Sequence, residues 1–306
     1  RSLPSSSRRI VFYSEGPESA PHLAPLIMEL TGRLDRQICY VTSSPDDPVL
    51  ACASSNVLCF EIGSGHARSH LFASLDAGQL VTTTPDLETM QLKRSANTDK
   101  YVYVHHAIMS MHMVYRPGAF DHFDSLLCVG RHHVEEAKAV ETVYGLKQRE
   151  LVEHGSIRLD VLLKSKEPVV PVTAKSDVHV LIAPTWGDHA LLETCGEELV
   201  DVMIKAGYQV TVRPHPMTMR HRSALVRDLE LRFGNTGRFK IDRETESESS
   251  MLASNLLITD WSGIALEYAF ALARPILFIE LPMKVNNLDY QRIGLEPLEL
   301  RLRSEI

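Results

Sequence analysis

Paired cysteines are missing from this chain. Its five cysteines (Cys39, Cys52, Cys59, Cys128 and Cys195) are odd in number, widely spaced and without a C-x-x-C. Neither a disulfide framework nor a thiolate zinc site is indicated, and a reducing cytoplasm fits best. Long apolar runs are missing too. None approaches the roughly 18 residues that span a bilayer, and the opening Arg1-Ser-Leu-Pro-Ser-Ser-Ser-Arg-Arg lacks the apolar segment of a signal peptide. The chain does not begin with methionine, as expected of a processed or trimmed chain, and a membrane anchor outside it would leave no trace in it. There is no excess of positive charge: a net charge of −7 argues against a general nucleic-acid binder, while a local basic pocket around Arg213 and Arg158 stays open. No internal repeat, low-complexity tract or G-x-G-x-x-G stands out.

What is present is ordinary globular sequence, 44% hydrophobic and 23% charged. Its 306 residues suggest two domains, at about 100–200 residues each. Strand-like runs alternate with helical ones, the pattern of a parallel α/β architecture. The first half gives strands at Arg9 to Tyr13, Gln37 to Thr42, Asn56 to Glu61, Gln79 to Thr83, Lys100 to Val104 and Ser125 to Val129, with helices near 19–34, 66–76, 86–93 and 131–144. A polar, proline-bearing stretch from Lys164 to Asp177 reads as a linker. The expected domains are therefore 1–165 and 166–306. Beyond the linker, strands are expected at Val178 to Ala183, Tyr208 to Val212, Asn255 to Thr259 and Ile276 to Ile279, and helices at 189–206, 218–233 and 263–273. Asp242 to Ser250 forms an acidic, serine-rich approach to a short helix. The picture is two doubly wound domains with a central cleft, where ligands usually bind.

Three strand ends in the second half carry polar clusters: Pro184-Thr185-Trp186-Gly187, Arg213-Pro214-His215-Pro216 and Asp260-Trp261-Ser262-Gly263. In a parallel sheet such ends share one edge, so Thr185, Arg213, His215, Asp260 and Ser262 can converge on one ligand. Arg213 offers a forked donor and His215 a second donor stiffened by two prolines, together a diphosphate clamp. The plain alternative is a turn whose basic residues face water. Ser262 stands where the N-cap of the following helix is expected, with Gly263 beside it at the electropositive helix end. Glu267, further along that helix, either accepts hydrogen bonds from a ribose diol or simply complements the helix dipole. Gly155 and Arg158, in His154-Gly-Ser-Ile-Arg-Leu-Asp160, read equally well as a phosphate-approaching loop or as a glycine turn before a helix.

Six histidines fall between His105 and His133. His105 and His106 end a strand, so at least one faces the cleft, where an imidazole can act as general base. A metal site is the sharper alternative and solvated or core histidines the plainer one. Adjacent strand residues point to opposite faces and no H-E-x-x-H occurs, so no metal ligand is assigned.

In order, Gly155-Ser-Ile-Arg-Leu-Asp160, Ala183-Pro-Thr-Trp186, Arg213-Pro-His-Pro216, Thr259-Asp-Trp-Ser-Gly263 and Arg274-Pro-Ile276 resemble the motifs of the CDP-glycerol glycerophosphotransferase family, the teichoic-acid and capsule polymerases of GT-B architecture. Asp289-Tyr290 and Gly294 are similar to the family's closing residues, so the resemblance runs from about Lys100 to Gly294. It implies that His215 and Ser262 hold the diphosphate of a nucleotide donor, and that His106 stands where the family keeps its base. Ala107 replaces the family's glycine after that histidine, which leaves His105 and His106 as alternatives. Ile157, Trp261, Gly263 and Glu267 also depart from the family pattern.

The function implied is transfer of a glycerophosphate-like unit from a CDP-linked donor to a hydroxyl of a cell-surface glycan or polyol-phosphate acceptor. No cofactor is implied beyond the donor itself, and no nucleic acid. The place implied is the cytoplasm, with peripheral association at the inner face of the membrane left open. The alternatives are a nucleotide-sugar glycosyltransferase, a UDP-sugar 2-epimerase-like enzyme, a non-catalytic nucleotide- or glycan-binding protein, and a histidine-rich metal-binding protein.

Overall fold

The computed structural model describes residues 3–52, 54–88, 92–165, 174–244 and 248–303. The chain forms two compact units, Arg1–Ile157 with Asn286–Pro297, and Arg158–Val285 with Leu298–Ile306.

The first unit is a seven-stranded parallel sheet of β1 (Ile10–Ser14), β2 (Ile38–Thr42), β3 (Val57–Glu61), β4 (Ala77–Thr82), β5 (Thr98–Val104), β6 (Ser125–Cys128) and β7 (Glu150–Glu153), in the order β3-β2-β1-β4-β5-β6-β7. Its helices are α1 (Ala20–Met28), α2 (His66–Ser74), α3 (Met111–Val114) and α4 (Arg131–Tyr144). The second unit repeats the winding with β8 (His179–Ile182), β9 (Gln209–Val212), β10 (Phe239–Ile241), β11 (Leu256–Thr259) and β12 (Ile276–Phe278), in the order β10-β9-β8-β11-β12. Its helices are α5 (Ile157–Ser165), α6 (Leu191–Thr194), α7 (Gly196–Lys205), α8 (Pro216–His221), α9 (Ser223–Phe233), α10 (Ser249–Ala253), α11 (Ile264–Glu267) and α12 (Leu298–Arg303). Both orders are of the dinucleotide-fold kind. Each reverses between its first and fourth strand, the switch point where open α/β sheets bind ligands.

The central strands are mostly apolar because both sheet faces are covered there, while the edge strands β3 and β7 are more exposed. Val11 and Tyr13 pack on one face of the first sheet and Phe12 on the other. In the second unit Val180 and Ile182 pack on one face, with Val210, Val212 and Ile258. Leu181 and Ala183 pack on the other, with Leu257 and Tyr268. Leu162 of α5 is fully buried on this second face. That packing places the boundary at Ile157/Arg158 rather than at 165/166, and Asn286–Pro297 returns to the first unit. The return segment docks on α3: Asn287 donates its side-chain amide to the His112 carbonyl (2.8 Å), and the Asn286 and Asn287 N–H groups meet the Met113 carbonyl (3.1 and 3.2 Å). The expected linker lies outside the described residues over 166–173, as the acidic approach to α10 does over 245–247.

Several helices depart from expectation. The helix expected at 189–206 is two, broken at Cys195 (φ −135°). There a Cβ on Gly196 would lie 3.0 Å from the Leu192 side chain and 3.4 Å from the Leu191 carbonyl. The helix expected at 218–233 breaks at Arg222. No helix occurs among the described residues of 86–93.

Beside the carboxyl ends of β1 and β2, Asp47 is buried and fully used. Its Oδ2 accepts from the hydroxyls of Ser14, Tyr40 and Thr42, each at 2.8 Å, and its Oδ1 from the Val49 N–H at 3.0 Å. Asp47→Ala removes the acceptor and strands four donors. It is expected to cost the first unit about 3 kcal/mol, well above the median for a point substitution. Urea unfolding of the variant checks this, and a change under about 0.5 kcal/mol would count against the network's role.

Candidate functional site

In the second unit the loops that follow β8, β9, β11 and β12 leave the same edge of the sheet. Asp260 follows β11 and is buried. Its Oδ1 accepts the Thr185 N–H (2.7 Å) and its Oδ2 the Leu191 N–H (2.9 Å), the first N–H of α6. Ala190 has no side-chain acceptor to cap that helix, so a carboxylate from the neighbouring strand does so. Asp260 was expected to meet ligand; both its oxygens instead shape the Thr185 loop.

His215 caps α8. Its Nδ1 accepts the Met217 N–H at 3.1 Å, so Nε2 carries the proton and is the ring's donor. Burial, and then the charge of Lys284, lowers its pKa to about 4, and the ring is neutral at physiological pH. Arg213 is buried, with Nη1 3.3 Å from the Ser250 hydroxyl. Burial and the neighbouring Arg158 lower its pKa, while Asp242, Glu267 and Glu248 act the other way. Arg158 and Glu267, expected to reach phosphate and ribose separately, are paired with each other, Nε to Oε2 at 2.7 Å, with about a tenth of each side chain exposed.

Ser262 does not cap the following helix. Gly263 is the N-cap residue, without a side-chain cap, and α11 runs only from Ile264 to Glu267 before a π-helical turn over Tyr268–Leu272. That turn ends at Ala273 (φ 52°), just before Arg274-Pro275. Trp261, a departure from the family pattern, is a brace: its Nε1 donates to the Leu281 carbonyl (2.8 Å), and the Arg303 guanidinium lies 4.1 Å over its ring.

Sequence reasoning missed Lys284, on the loop after β12. Its Nζ lies 4.0 Å over the Trp186 ring and donates to the Trp186 carbonyl (3.2 Å) and the Thr185 hydroxyl (3.4 Å). The signal available was its place on a fourth strand-end loop; only three such loops carried conspicuous clusters.

The remaining expected residues belong to the first unit. Gly155 follows β7 with φ 91°, its N–H on the Cys128 carbonyl (3.2 Å). His105 and His106 follow β5 and differ sharply. His105 is 4% exposed, packed among Tyr103, Phe120 and His133, with no partner for either ring nitrogen among the described residues. Burial, then His133, His106 and His132, push its pKa well below the usual value. His106 keeps partial exposure. Its Nδ1 is 3.1 Å from the Tyr103 hydroxyl and its Nε2 3.4 Å from that of Tyr115, and it also hydrogen-bonds the Thr83 backbone. Burial lowers its pKa to about 4, the Thr83 bond opposing the shift. Of the two, His106 is the more exposed. Among the described residues no three His, Cys, Asp or Glu side chains are placed to hold a metal ion.

Residues 64–285, more than half of the chain, match the family profile described as CDP-Glycerol:Poly(glycerophosphate) glycerophosphotransferase. The chain belongs to this glycerophosphotransferase family. The family resemblance read from the sequence is thereby borne out. Among solved structures, the wall teichoic acid polymerase TagF soaked with CDPG is 16% identical with a TM-score of 0.55, covering 89% of this chain and 70% of that one. A MnaA–UDP structure from S. aureus is 12% identical with a TM-score of 0.60, covering 94% and 86%. A UDP-GlcNAc 2-epimerase from Neisseria meningitidis bound to UDP-GlcNAc is 12% identical with a TM-score of 0.55, covering 93% and 88%. At these identities the likeness is one of fold, and it bears out the α/β, GT-B class of this glycerophosphotransferase relative. No curated protein matches the chain. Among the described residues no helix is long and apolar enough to cross a membrane.

Proposed function

We propose that this family member transfers a polyol-phosphate unit from a CDP-linked donor, CDP-glycerol or a close analogue, to a hydroxyl of a glycan or polyol-phosphate acceptor at the inner face of the cytoplasmic membrane. The observation that carries the reading is the convergence of Arg213, the Nε2–H of His215 and the Thr185 loop on one sheet edge, inside the stretch that matches the family profile. These donors suit a diphosphate, and the Ser262-Gly263 turn adds backbone N–H groups at the start of α11. The acceptor oxygen attacks the β-phosphorus, the bond to the bridging oxygen breaks, and CMP leaves with the electron pair. The hydroxyl proton goes to His106, whose neutral ring is the form a base needs. Charge on the phosphoryl group in flight is spread over Arg213 and His215. Glu267 acts through Arg158, which it holds beside Arg213.

A nucleotide-sugar reading has its own support in the fold likeness to UDP-bound MnaA. Incubation with CDP-glycerol and a polyol-phosphate acceptor is expected to release CMP. Release of UDP from UDP-GlcNAc with an acceptor, or its epimerisation without one, would replace the proposal. Binding of nucleotide with no product from either donor would make this a binding protein. His215→Ala removes one charge-assisted donor and the α8 cap together, and CDP affinity is expected to fall about ten- to a hundredfold by calorimetry. Unchanged affinity would remove His215 from the site.

A further inference from the structure

We propose that Lys284 is a further donor-binding residue, its ammonium pairing with the diphosphate of a nucleoside-diphosphate ligand; this deepens the donor-site reading above and rests on it. Lys284 has three N–H donors and meets two neutral oxygens, at 3.2 and 3.4 Å, and one aromatic face. Among the described residues it forms no ion pair, although it is half-buried. The carboxylates whose charge it feels have other hydrogen-bond partners. Asp260 gives both oxygens to backbone N–H groups. Glu193 of α6 lies near the Thr218 hydroxyl, and burial raises its pKa. A partly desolvated cation with no counter-ion is costly unless something anionic joins it. Burial lowers its pKa to about 8, with Asp260 and Glu193 only partly opposing that shift.

Its neighbours point to the ligand. Thr185, which it touches, belongs to the loop expected to meet the donor, and the Trp186 ring beneath it stands 6.0 Å from the His215 ring. Lys284 and His215 already sense each other, since the lysine charge helps keep the histidine neutral. An anion between them takes an ion pair from one and an Nε2–H from the other. The loop is preset for this, because Trp261 holds the Leu281 carbonyl and fixes the approach to Lys284.

The test is calorimetric titration of CDP and cytidine into the wild type, Lys284→Met and Lys284→Arg, at constant ionic strength. At pH 7 Lys284→Met is expected to bind CDP about ten- to a hundredfold more weakly, the loss of one charge-assisted contact. Cytidine binding should not change, and Lys284→Arg should stay within a fewfold of wild type. The wild type carries a second readout that needs no variant. CDP affinity should fall as pH rises through about 8, where the lysine loses its proton, and stay level over that range in Lys284→Arg. The second ionisation of a phosphate, near pH 6, lies below this window. Equal CDP affinity in wild type and Lys284→Met, or a wild-type profile level from pH 7 to 9.5, would overturn the proposal while leaving the donor site standing. Failure of the wild type to bind either CDP or UDP would overturn both.

Discussion

His106→Ala is expected to lower turnover by about 10²–10⁴-fold while CDP affinity stays within a fewfold of wild type, the range removed with a positioned general base. The split follows from placement. His106 belongs to the first unit and the residues proposed to bind the nucleotide to the second, so on this reading the substitution removes the proposed proton acceptor and leaves the proposed donor-binding residues in place. Its pKa of about 4 keeps it neutral but makes it a weak base in the free protein. Tyr103 and Tyr115 hold the ring between them. A loss of CDP affinity as large as the loss of turnover, or a variant as fast as wild type, would sink the assignment. His105→Ala should behave differently. It hollows a packed aromatic cluster and should show first as lowered stability.

The difference between these adjacent histidines was out of reach of the sequence. Alternation along a strand says that two neighbours face opposite ways, but only the packing of Phe120 and His133 decides which one is sealed. Features set by local chemistry were legible. Helix α4 runs from Arg131 to Tyr144, as its pattern predicts, and closes on Gly145 in the left-handed region. The strands were legible because strands covered on both faces must be apolar. The breaks at Cys195 and Arg222 were not. The first falls where Gly196 packs close to Leu191 and Leu192, a packing fact with no periodic signature. In the site, the strand-end clusters announced their shared edge but not their pairings. Arg158 and Glu267 are 109 residues apart, and each looked like a ligand contact until the fold joined them. Lys284 sits in Leu-Pro-Met-Lys, which carries no motif at all; what singles it out is Trp186, brought beneath it from nearly a hundred residues away.

Asp260 is where the second unit should prove most sensitive. Asp260→Ala is expected to destabilise that unit by about 3–5 kcal/mol, since it strands two N–H groups that shared one carboxylate, each costing roughly 1–3 kcal/mol when left without an acceptor. Against a typical 5–15 kcal/mol for a whole domain, that is a large share. Asp260→Asn separates charge from hydrogen bonding. The amide oxygen can accept one N–H, from Thr185 or from Leu191, but the amide NH₂ then confronts the other, donor against donor. The asparagine variant should therefore recover only part of the stability. Both variants also take a negative charge from beside Lys284, so its pKa should drop further below the ordinary lysine value. That couples the two measurements. In urea unfolding the variants should rank wild type, Asn, Ala. Under conditions where all three are folded, CDP binding at pH 7 to 8 should weaken in both variants, because the Thr185 loop loosens and the lysine carries less charge. An alanine variant as stable as wild type would mean that the loop after β8 is held by something other than Asp260, and would return that carboxylate to the list of groups available to a ligand.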